Sequence, residues 1–443
     1  MSSNHWPTSA GETPNRGAKG LYACLWRWHF YAGLFCLPFV LLLAVSGSIY
    51  LFKPQINQWL ERPYQKLNIS GPRGSAQAQI DAAMAALPGA RFLNYRLPQV
   101  PDEAVLISLR HQGERQSVYL HPHNLEVLRV VEYEQQFIQL VRSFHGELLA
   151  GRTGTILVEL AGGWAIILIL TGLYLWWPRN TRGLAGVLWP RLSLRGRSLW
   201  RDLHAVTGIW IAVFSLFLLV TALPWTLVWG SAFKELRQWH NDAQAEASWT
   251  QGRAQERAVW GYQAVNEVRL PPEVLDSARA LSLAPPVELS VADPKQDIWK
   301  TRSLHQNRPL RETVWLDNQG REQHRQGFSD KGTLDRAIAI GIAAHEGQLF
   351  GWFNQLLGLV TALGLVLLSV SGFVLWRKRK PRDRLGAPNA RFSPGQGRWV
   401  FIITALLSLT LPLVFASILL LAIGEHLLFR RISGFNRWLG LAN

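Results

Sequence analysis

Cysteine is nearly absent from this chain of 443 residues. Only two occur, Cys24 and Cys36, and both lie in or near the first long apolar run. Two cysteines cannot form a disulfide framework, an iron–sulfur cluster or a cysteine-based zinc site. Charge is also scarce, because only 17% of residues are charged, against about 25% in soluble proteins. Hydrophobic residues make up 48% and Trp occurs 21 times. This composition excludes a disordered or collagen-like chain and indicates a membrane protein with sizeable water-exposed parts.

Five apolar runs are long enough to cross the roughly 30 Å hydrocarbon core of a bilayer. The first run follows a polar tail and lacks a small-residue cleavage site, so we expect a retained helix rather than a signal peptide. The predicted spans are 30–52, 155–177, 205–229, 352–376 and 399–423.

The net charge of +16 comes almost entirely from three short segments on one side of these spans. They carry 17 basic and 3 acidic residues, whereas the long segments 53–154 and 230–351 are nearly neutral. The positive-inside rule therefore predicts a cytoplasmic N-terminus, two periplasmic lobes and a periplasmic tail, 424–443, in a bacterial inner membrane. This location leaves no support for nucleic-acid binding. The basic segments are 1–29, 178–204 and 377–398.

The chain repeats itself in sequence. The segment at His145 aligns with that at His345 at an offset of 200, and the segment at His29 aligns with that at His204 at an offset of 175. A unit of helix, outer lobe and helix is thus used twice. Two such units predict a mainly α membrane protein with a pseudo-twofold four-helix core, to which the fifth span is added.

Both long segments predict small α+β lobes. In the first lobe, 76–87 has the apolar spacing of a helix and 104–128 the alternation of two or three strands. In the second lobe, 274–281 predicts a helix, and 287–291 and 313–316 predict strands.

Four histidines stand at the entrances of the four repeated helices. His29 and His204 enter from the cytoplasmic side, and His145 and His345 from the outer side, so the repeat predicts two facing pairs. A single His at a helix end is usually an interfacial or capping residue, but four in matched pairs favour metal ligation. Two neutral imidazoles across an apolar bundle suit haem iron, whereas zinc would need about four ligands. No Cys-x-x-Cys-His motif occurs, which predicts two b-type haems.

Other residues near these histidines have candidate roles. Arg27, Arg201 and Arg142 are predicted to meet haem propionates through charge-assisted hydrogen bonds. Gly33 and Gly208 are candidates to admit a flat ring, although glycines in membrane helices are more often packing positions.

Glu159 is the only carboxylate inside a predicted span. A charge at that depth is costly and therefore suggests a function. We expect it either to carry a proton or to pair with a polar neighbour.

Four motifs resemble the PepSY-associated transmembrane family, over about 21–380. The motifs are Trp-Arg-Trp-His29-Phe-Tyr-Ala-Gly, Phe144-His145-Gly-Glu-Leu-Leu, Asp202-Leu-His204-Ala-Val-Thr-Gly and His345-Glu-Gly-Gln-Leu-Phe-Gly. The resemblance implies PepSY modules for the outer lobes. Members of that family include iron-regulated inner-membrane proteins that reduce ferric siderophores and carry two b haems. The resemblance implies a similar protein here. This chain departs from members with a flavin-binding domain, since no Gly-x-Gly-x-x-Gly opens a strand–helix unit.

By this resemblance, electrons from a cytoplasmic reductase or a membrane quinol would reach a periplasmic ferric siderophore and release Fe(II) for iron uptake. Arg142, Arg152, Gln348 and Trp352 are candidate contacts for the chelate, or anchors at the membrane interface. Two alternatives stay open: a haem-free sensor or assembly protein, and a dihaem cytochrome that serves another periplasmic acceptor.

Overall fold

Four of the five predicted spans are long apolar helices in the structure. The helices Leu21–Leu51, Gly151–Trp176, Gly196–Trp225 and Trp352–Arg379 are long and apolar enough to cross a membrane. The chain is therefore a multi-pass membrane protein. The computed structural model describes residues 16–179, 183–239, 264–382, 384–387, 406, 410–429, 432, 434 and 438–439.

Eleven α-helices lie in this described part of the chain. Local sequence explains several of their ends. Ser75 accepts a hydrogen bond from the backbone N–H of Ala78 and so caps a helix start, and Pro54 stands in the first turn of the helix that follows the first span. The helices are α1 (Arg16–Leu51), α2 (Lys53–Glu61), α3 (Ala76–Ala86), α4 (Phe137–Glu147), α5 (Gly151–Trp176), α6 (Gly196–Ala222), α7 (Val228–Trp239), α8 (Pro272–Ala280), α9 (Thr333–His345), α10 (Trp352–Arg379) and α11 (Pro412–Gly424).

The fifth predicted span, 399–423, falls partly outside the described residues. Its described portion contains α11, which is apolar but has only 13 residues and is shorter than a span. The indole Nε1 of Trp164 on α5 donates a hydrogen bond to Ser417 of α11, at 3.0 Å. The crossing of a fifth helix stays a prediction.

The two predicted lobes are halves of one antiparallel sheet. Its eight strands run in the order β4-β3-β2-β1-β5-β6-β7-β8, so the second half mirrors the first. The halves join where β1 pairs with β5, Tyr95 opposite Leu289 and Arg96 opposite Glu288. This pairing covers the edge that each lobe alone would expose. The strands are β1 (Arg91–Arg96), β2 (Val105–His111), β3 (Glu114–Leu120), β4 (Val127–Glu132), β5 (Val287–Asp293), β6 (Ile298–Ser303), β7 (Thr313–Leu316) and β8 (Glu322–Gln326).

Among the described residues, one hydrophobic core lies against one face of this sheet. Ile80 of α3 and Val274 of α8 are fully buried in it, together with Phe92 of β1 and Leu289 of β5. Burying such a side chain stabilises the fold by about 1.5–3 kcal/mol. The predicted helices 76–87 and 274–281 therefore exist because each buries one apolar face on the shared sheet.

The chain divides into two compact units. Unit 1 comprises Met1–Val40, Leu160–Leu216 and Leu367–Asn443, and unit 2 comprises Leu41–Glu159 and Phe217–Val366. His29 and His204 belong to unit 1, whereas His145, His345 and the whole sheet belong to unit 2.

Candidate functional site

Unit 1 brings two of the four predicted histidines together. The imidazole centroids of His29 on α1 and His204 on α6 are 6.4 Å apart, and their planes are inclined at 85°. Two imidazoles bound to opposite sides of one metal ion, with bonds of about 2 Å, would have centroids roughly 6 Å apart. The spacing of this pair therefore fits one ion held between the two rings.

All four predicted histidines share a second feature, a hydroxyl group within hydrogen-bond distance of Nδ1. In every case the hydroxyl belongs to a different membrane helix from the one that the histidine enters. The contacts are His29–Thr171 at 3.0 Å, His204–Ser371 at 3.0 Å, His145–Ser46 at 3.0 Å and His345–Thr221 at 3.1 Å.

The hydroxyl groups determine which imidazole nitrogen carries the hydrogen. Each hydroxyl donates its single proton to the carbonyl oxygen four residues earlier in its own helix, at 2.6–2.8 Å. It can therefore only accept from the imidazole, which requires N–H at Nδ1. At His204 the carbonyl oxygen of Leu368, also an acceptor only, lies 3.2 Å from the same Nδ1. All four rings are thus in the tautomer whose Nε2 is unprotonated, the form in which histidine binds a metal.

Small residues follow the four hydroxyl residues in sequence. A Cβ built on Gly47 or Gly172 would lie 3.1 Å from Cε1 of the nearby imidazole, and one on Gly372 would lie 3.4 Å away. At the fourth position Ala222 follows Thr221. The edge of the imidazole ring therefore packs directly on the helix backbone beside the hydroxyl group, which fixes the ring plane as well as the tautomer.

The sequence interpretation missed these hydroxyl residues, although a signal for them existed. Ser46 and Thr221 are 175 residues apart, the offset of His29 and His204, and Thr171 and Ser371 are 200 apart, the offset of His145 and His345. The glycines proposed instead, Gly33 and Gly208, each face a leucine at an ordinary 3.7 Å.

The two arginines predicted to meet propionates on the cytoplasmic side, Arg27 and Arg201, lie in α1 and α6. The Arg27 guanidinium stands 5.7 Å from the ring centroid of Tyr31, one turn along α1. Arg201 is 63% exposed and lies 3.2 Å from Asp202, a carboxylate that Arg191 holds with two further hydrogen bonds of 2.7 and 3.0 Å.

A cavity of about 430 Å³ lies in unit 1, next to the turn of α1 that precedes His29. The Arg379 guanidinium lies over the rings of Trp26 and Phe30, 5.0 and 4.9 Å from their centroids. The cavity is therefore mostly aromatic and apolar with one cation. Its lining residues are Tyr22, Ala23, Trp26, Arg379, Pro381, Gly386 and Ala387.

Arg142, the outer arginine of the prediction, belongs to a group of charges in unit 2 that we call the Glu346 cluster. Burial alone would raise the pKa of Glu346, but the positive charges around it lower that pKa below its usual value. Burial and the neighbouring Arg308 lower the pKa of Arg311 to about 9. The Glu346 cluster consists of Glu346, Arg308, Lys53, Arg311 and Arg142.

Glu346 directly follows His345 in sequence, so the cluster adjoins a candidate ligand. Burial is the largest influence on His345 and lowers its pKa, and the Glu346 charge opposes this only in part. A low pKa keeps the imidazole neutral, as metal ligation requires.

The other predicted chelate contacts separate into two groups. Gln348 lies beside the Glu346 cluster, where its amide donates to the carbonyl oxygens of Leu51 and Glu346 at 3.1 and 3.0 Å. Arg152 is exposed, and Trp352 is 74% exposed beside the exposed ring of Phe353. Exposed aromatics at the end of an apolar helix are typical of anchors at a membrane interface.

Glu159 is paired rather than isolated. The carboxylate is 7% exposed, and its two oxygens accept the backbone N–H groups of Val228 and Trp229 at 2.8 and 2.9 Å. These N–H groups begin α7, where a helix has unsatisfied donors and a favourable dipole for an anion. Two roles were predicted for Glu159, to carry a proton or to pair with a polar neighbour. The geometry shows the pairing.

Comparison with known proteins identifies a family. No curated protein matches the chain significantly. The family model for the PepSY-associated TM region matches residues 26–379, which include all four histidines and the whole sheet. On that match over more than three quarters of its length, this chain is a member of the PepSY-associated transmembrane family.

Proposed function

We propose that this membrane protein is a dihaem b oxidoreductase of the bacterial inner membrane. In this proposal it passes electrons from a cytoplasmic reductase or a quinol to a ferric siderophore in the periplasm and releases Fe(II) for uptake. Membership of the PepSY-associated family supports the proposal at the level of a membrane protein of that family. The haem centres, the acceptor and the orientation are the proposed part.

One observation carries the proposal: four half-buried imidazoles, each with Nδ1 within hydrogen-bond distance of a hydroxyl group on another helix, which makes Nε2 the unprotonated nitrogen. Among the described residues, no group of three or more His, Cys, Asp or Glu side chains is placed to hold a metal ion. Pairs of imidazoles without further protein ligands suit a planar cofactor that provides the remaining ligands itself. The 6.4 Å spacing of His29 and His204 is of the size that such a pair requires.

Haem, when bound, supplies an iron that gains and loses single electrons. The residues of the chain have the other tasks. His29 with His204, and His145 with His345, would hold the iron, while the hydroxyls keep each imidazole in one tautomer. Arg27, Arg201 and Arg142 would pair with propionates. The equal offsets of the histidines and hydroxyls support the repeated four-helix core.

The proposed reaction transfers one electron to each ferric chelate, so that Fe(III) becomes Fe(II). Chelators with hard oxygen donors hold Fe(II) less tightly, and the metal is released. This chemistry needs neither a general base nor a nucleophile from the protein. The aromatic cavity at Trp26 is the candidate contact for the electron donor, because a quinol or flavin ring fits an apolar site lined by aromatic side chains.

Haem stoichiometry tests the proposal. Purified protein should contain about two low-spin b haems per chain. His29→Ala or His204→Ala should each remove one haem, and His145→Ala or His345→Ala the other. His123→Ala is the matched control, because this loop imidazole bonds the carbonyl oxygen of Gly71 and should leave both haems in place. Protein that binds no haem would contradict the proposal and would fit the sensor or assembly alternative.

A further inference from the structure

One face of α1 carries three aromatic side chains, which we call the α1 stripe. They are four residues apart and therefore lie one above another along the helix. The positions of α6 at the repeat offset of 175 hold two arginines and an alanine, so the stripe is not part of the repeated architecture. The α1 stripe consists of Tyr22, Trp26 and Phe30, and the α6 positions are Arg197, Arg201 and Ala205.

Two arginines that correspond in the repeat both lie on the α1 stripe. Arg179 and Arg379 are 200 residues apart, which is the second offset of the repeat. The Arg379 guanidinium lies 5.0 and 4.9 Å from the ring centroids of Trp26 and Phe30. The Arg179 guanidinium lies 5.0 Å from the ring centroid of Tyr22. Such contacts hold a guanidinium group over the face of an aromatic ring, so each repeat places one cation on the same stripe.

Arg379 keeps donors for a ligand. Its Nη2 donates a hydrogen bond to the carbonyl oxygen of Gly386 at 2.6 Å, which uses one of the five N–H groups of the guanidinium. The hydrogen-bond and ring contacts that the structure describes for this side chain include no carboxylate. The cation is therefore held in place without being neutralised, and it can donate to an acceptor oxygen in the cavity that it lines.

The aromatic cavity lies at the ends of two helices that can cross a membrane. Tyr22 and Trp26 line it from the helix Leu21–Leu51, and Arg379 lines it from the last position of the helix Trp352–Arg379. Its volume of about 430 Å³ is within the range of roughly 300–1,000 Å³ that is typical of small-molecule sites. Such a position suits a ligand that is dissolved in the bilayer.

The cavity also adjoins a candidate metal ligand. Trp26 precedes His29 by three residues, which is less than one helical turn, and Phe30 follows His29 directly. The Arg379 guanidinium thus lies over the two aromatic rings that flank His29 in sequence. An electron donor in the cavity would therefore stand beside the pair of His29 and His204.

We propose that the cavity binds the ring of a membrane quinol, with the ring against Trp26 and one ring oxygen accepting a hydrogen bond from Arg379. The inference rests on the proposed function and selects its electron donor, a lipid-soluble quinol rather than a cytoplasmic reductase. A quinone ring is flat, uncharged and apolar apart from its oxygen atoms. It therefore suits a site with aromatic walls and one cation among the described lining residues.

Binding of the fluorescent quinol analogue heptylhydroxyquinoline N-oxide tests the site without electron transfer. Quenching of its fluorescence is titrated with the full-length protein in an uncharged detergent. Trp26→Ala and Arg379→Gln should each raise the Kd about tenfold or more, because one removes the ring contact and the other a charged hydrogen-bond donor. Trp26→Phe keeps an aromatic ring and should retain most of the affinity. Trp177→Ala and Arg377→Gln are the matched controls, since both side chains are exposed and lie outside the cavity lining.

Competition on the unmodified protein identifies the class of ligand and does not depend on the folding of any variant. Decylubiquinone or a short-chain menaquinone should displace the probe, whereas flavin mononucleotide and phosphatidylglycerol should not. Displacement by flavin mononucleotide or phosphatidylglycerol without displacement by a quinone would overturn the inference and assign the cavity to a flavin or to a lipid headgroup. No binding of the probe, or equal Kd values for the Trp26→Ala, Arg379→Gln and control proteins, would overturn it as well.

The proposed function fails separately. If the probe and the quinones bind as expected but the purified protein holds no haem, the quinone site stands and the electron-transfer activity does not. If decylubiquinol reduces the protein equally fast with and without Trp26→Ala, the inference fails, and the reductase activity stands with its donor at another place.

Discussion

The two predicted histidine pairs are anchored in the same way but have different surroundings. In unit 1, His29 and His204 lie within membrane helices, and the nearest predicted cations are at a tyrosine ring and an aspartate. In unit 2, His145 lies in the last turn of the short helix α4 and His345 ends α9, and His345 adjoins Glu346, whose pKa four neighbouring cations lower. The same imidazole–hydroxyl contact is thus combined with an apolar setting in one unit and a positively charged, half-solvated setting in the other.

This difference suggests a division of labour between the pairs. An apolar setting would exclude polar chelates from the His29–His204 pair. That pair could then receive electrons only from a donor that is soluble in the membrane or that docks on the protein. A half-solvated positive setting attracts anions and favours the more negative, reduced state of a bound metal centre. If the proposed haems are bound, the common hydroxyl contact would position their ligands, and the surroundings would determine what each haem can exchange electrons with.

Removing one ligand from each unit should have the largest effect and test this division directly. In His145→Ala, reduction of the haem at His29 and His204 should persist, but reoxidation by a ferric chelate should slow at least tenfold. Stopped-flow absorbance with a ferrous-specific dye measures both steps. In His29→Ala the chelate should still oxidise the remaining haem, whereas reduction by the donor should slow. Wild-type reoxidation in His145→Ala would place the exit elsewhere.

The hydroxyl anchors should show an intermediate effect in both units. In Ser46→Ala the acceptor for Nδ1 of His145 is lost, and loss of such an outer contact typically costs about 10–100-fold in metal affinity. Ser48→Ala is the matched control on the same helix, since Ser48 donates to its own helix carbonyl at 2.7 Å and has no imidazole contact among the described residues. Haem titration and the absorption spectrum measure the difference, and Ser46→Thr should restore binding. Equal losses in Ser46→Ala and Ser48→Ala would mean that the hydroxyl does not position the ligand.

Glu159 should have the smallest effect on function. Glu159→Gln weakens two hydrogen bonds to a charged acceptor at the start of α7, and we expect a loss of about 1–2 kcal/mol in the free energy of unfolding. Haem content and reoxidation rate should stay at the wild-type values, and Glu114→Gln, at an exposed strand position, should change neither stability nor rate. Slower reoxidation without lost stability would instead support the proton-carrying role.

The long apolar helices and the four histidines could be predicted because their signals are local or repeat at a fixed offset. The hydroxyl residues could not be recognised as readily. A Ser or Thr in an apolar helix can satisfy itself with its own helix carbonyl, so Ser46 and Thr171 do not reveal a second partner. Only the equality of their offsets with those of the histidines indicates a common role.

The sheet was predicted in pieces. Strands β5 and β7 have apolar residues at alternate positions, whereas two of the three buried side chains of β6, Thr301 and Ser303, are polar, and β8 is polar and almost entirely exposed. The joining of the two halves leaves no local signal, because alternation tells which face of a strand is buried but not which strand lies beside it.

The pairing of β1 with β5 also has a consequence for the order in which the protein is made. Tyr95 and Leu289 pair across almost 200 residues that include two membrane helices. At a synthesis rate of roughly 5–20 residues per second, β1 waits on the order of ten to forty seconds for its partner. During that interval the first half of the sheet presents an open edge to other nascent chains. In the finished fold β1 is paired with β5, so this open edge exists only during synthesis. We therefore expect biogenesis of this protein to depend on a chaperone on the side of the membrane where the sheet forms.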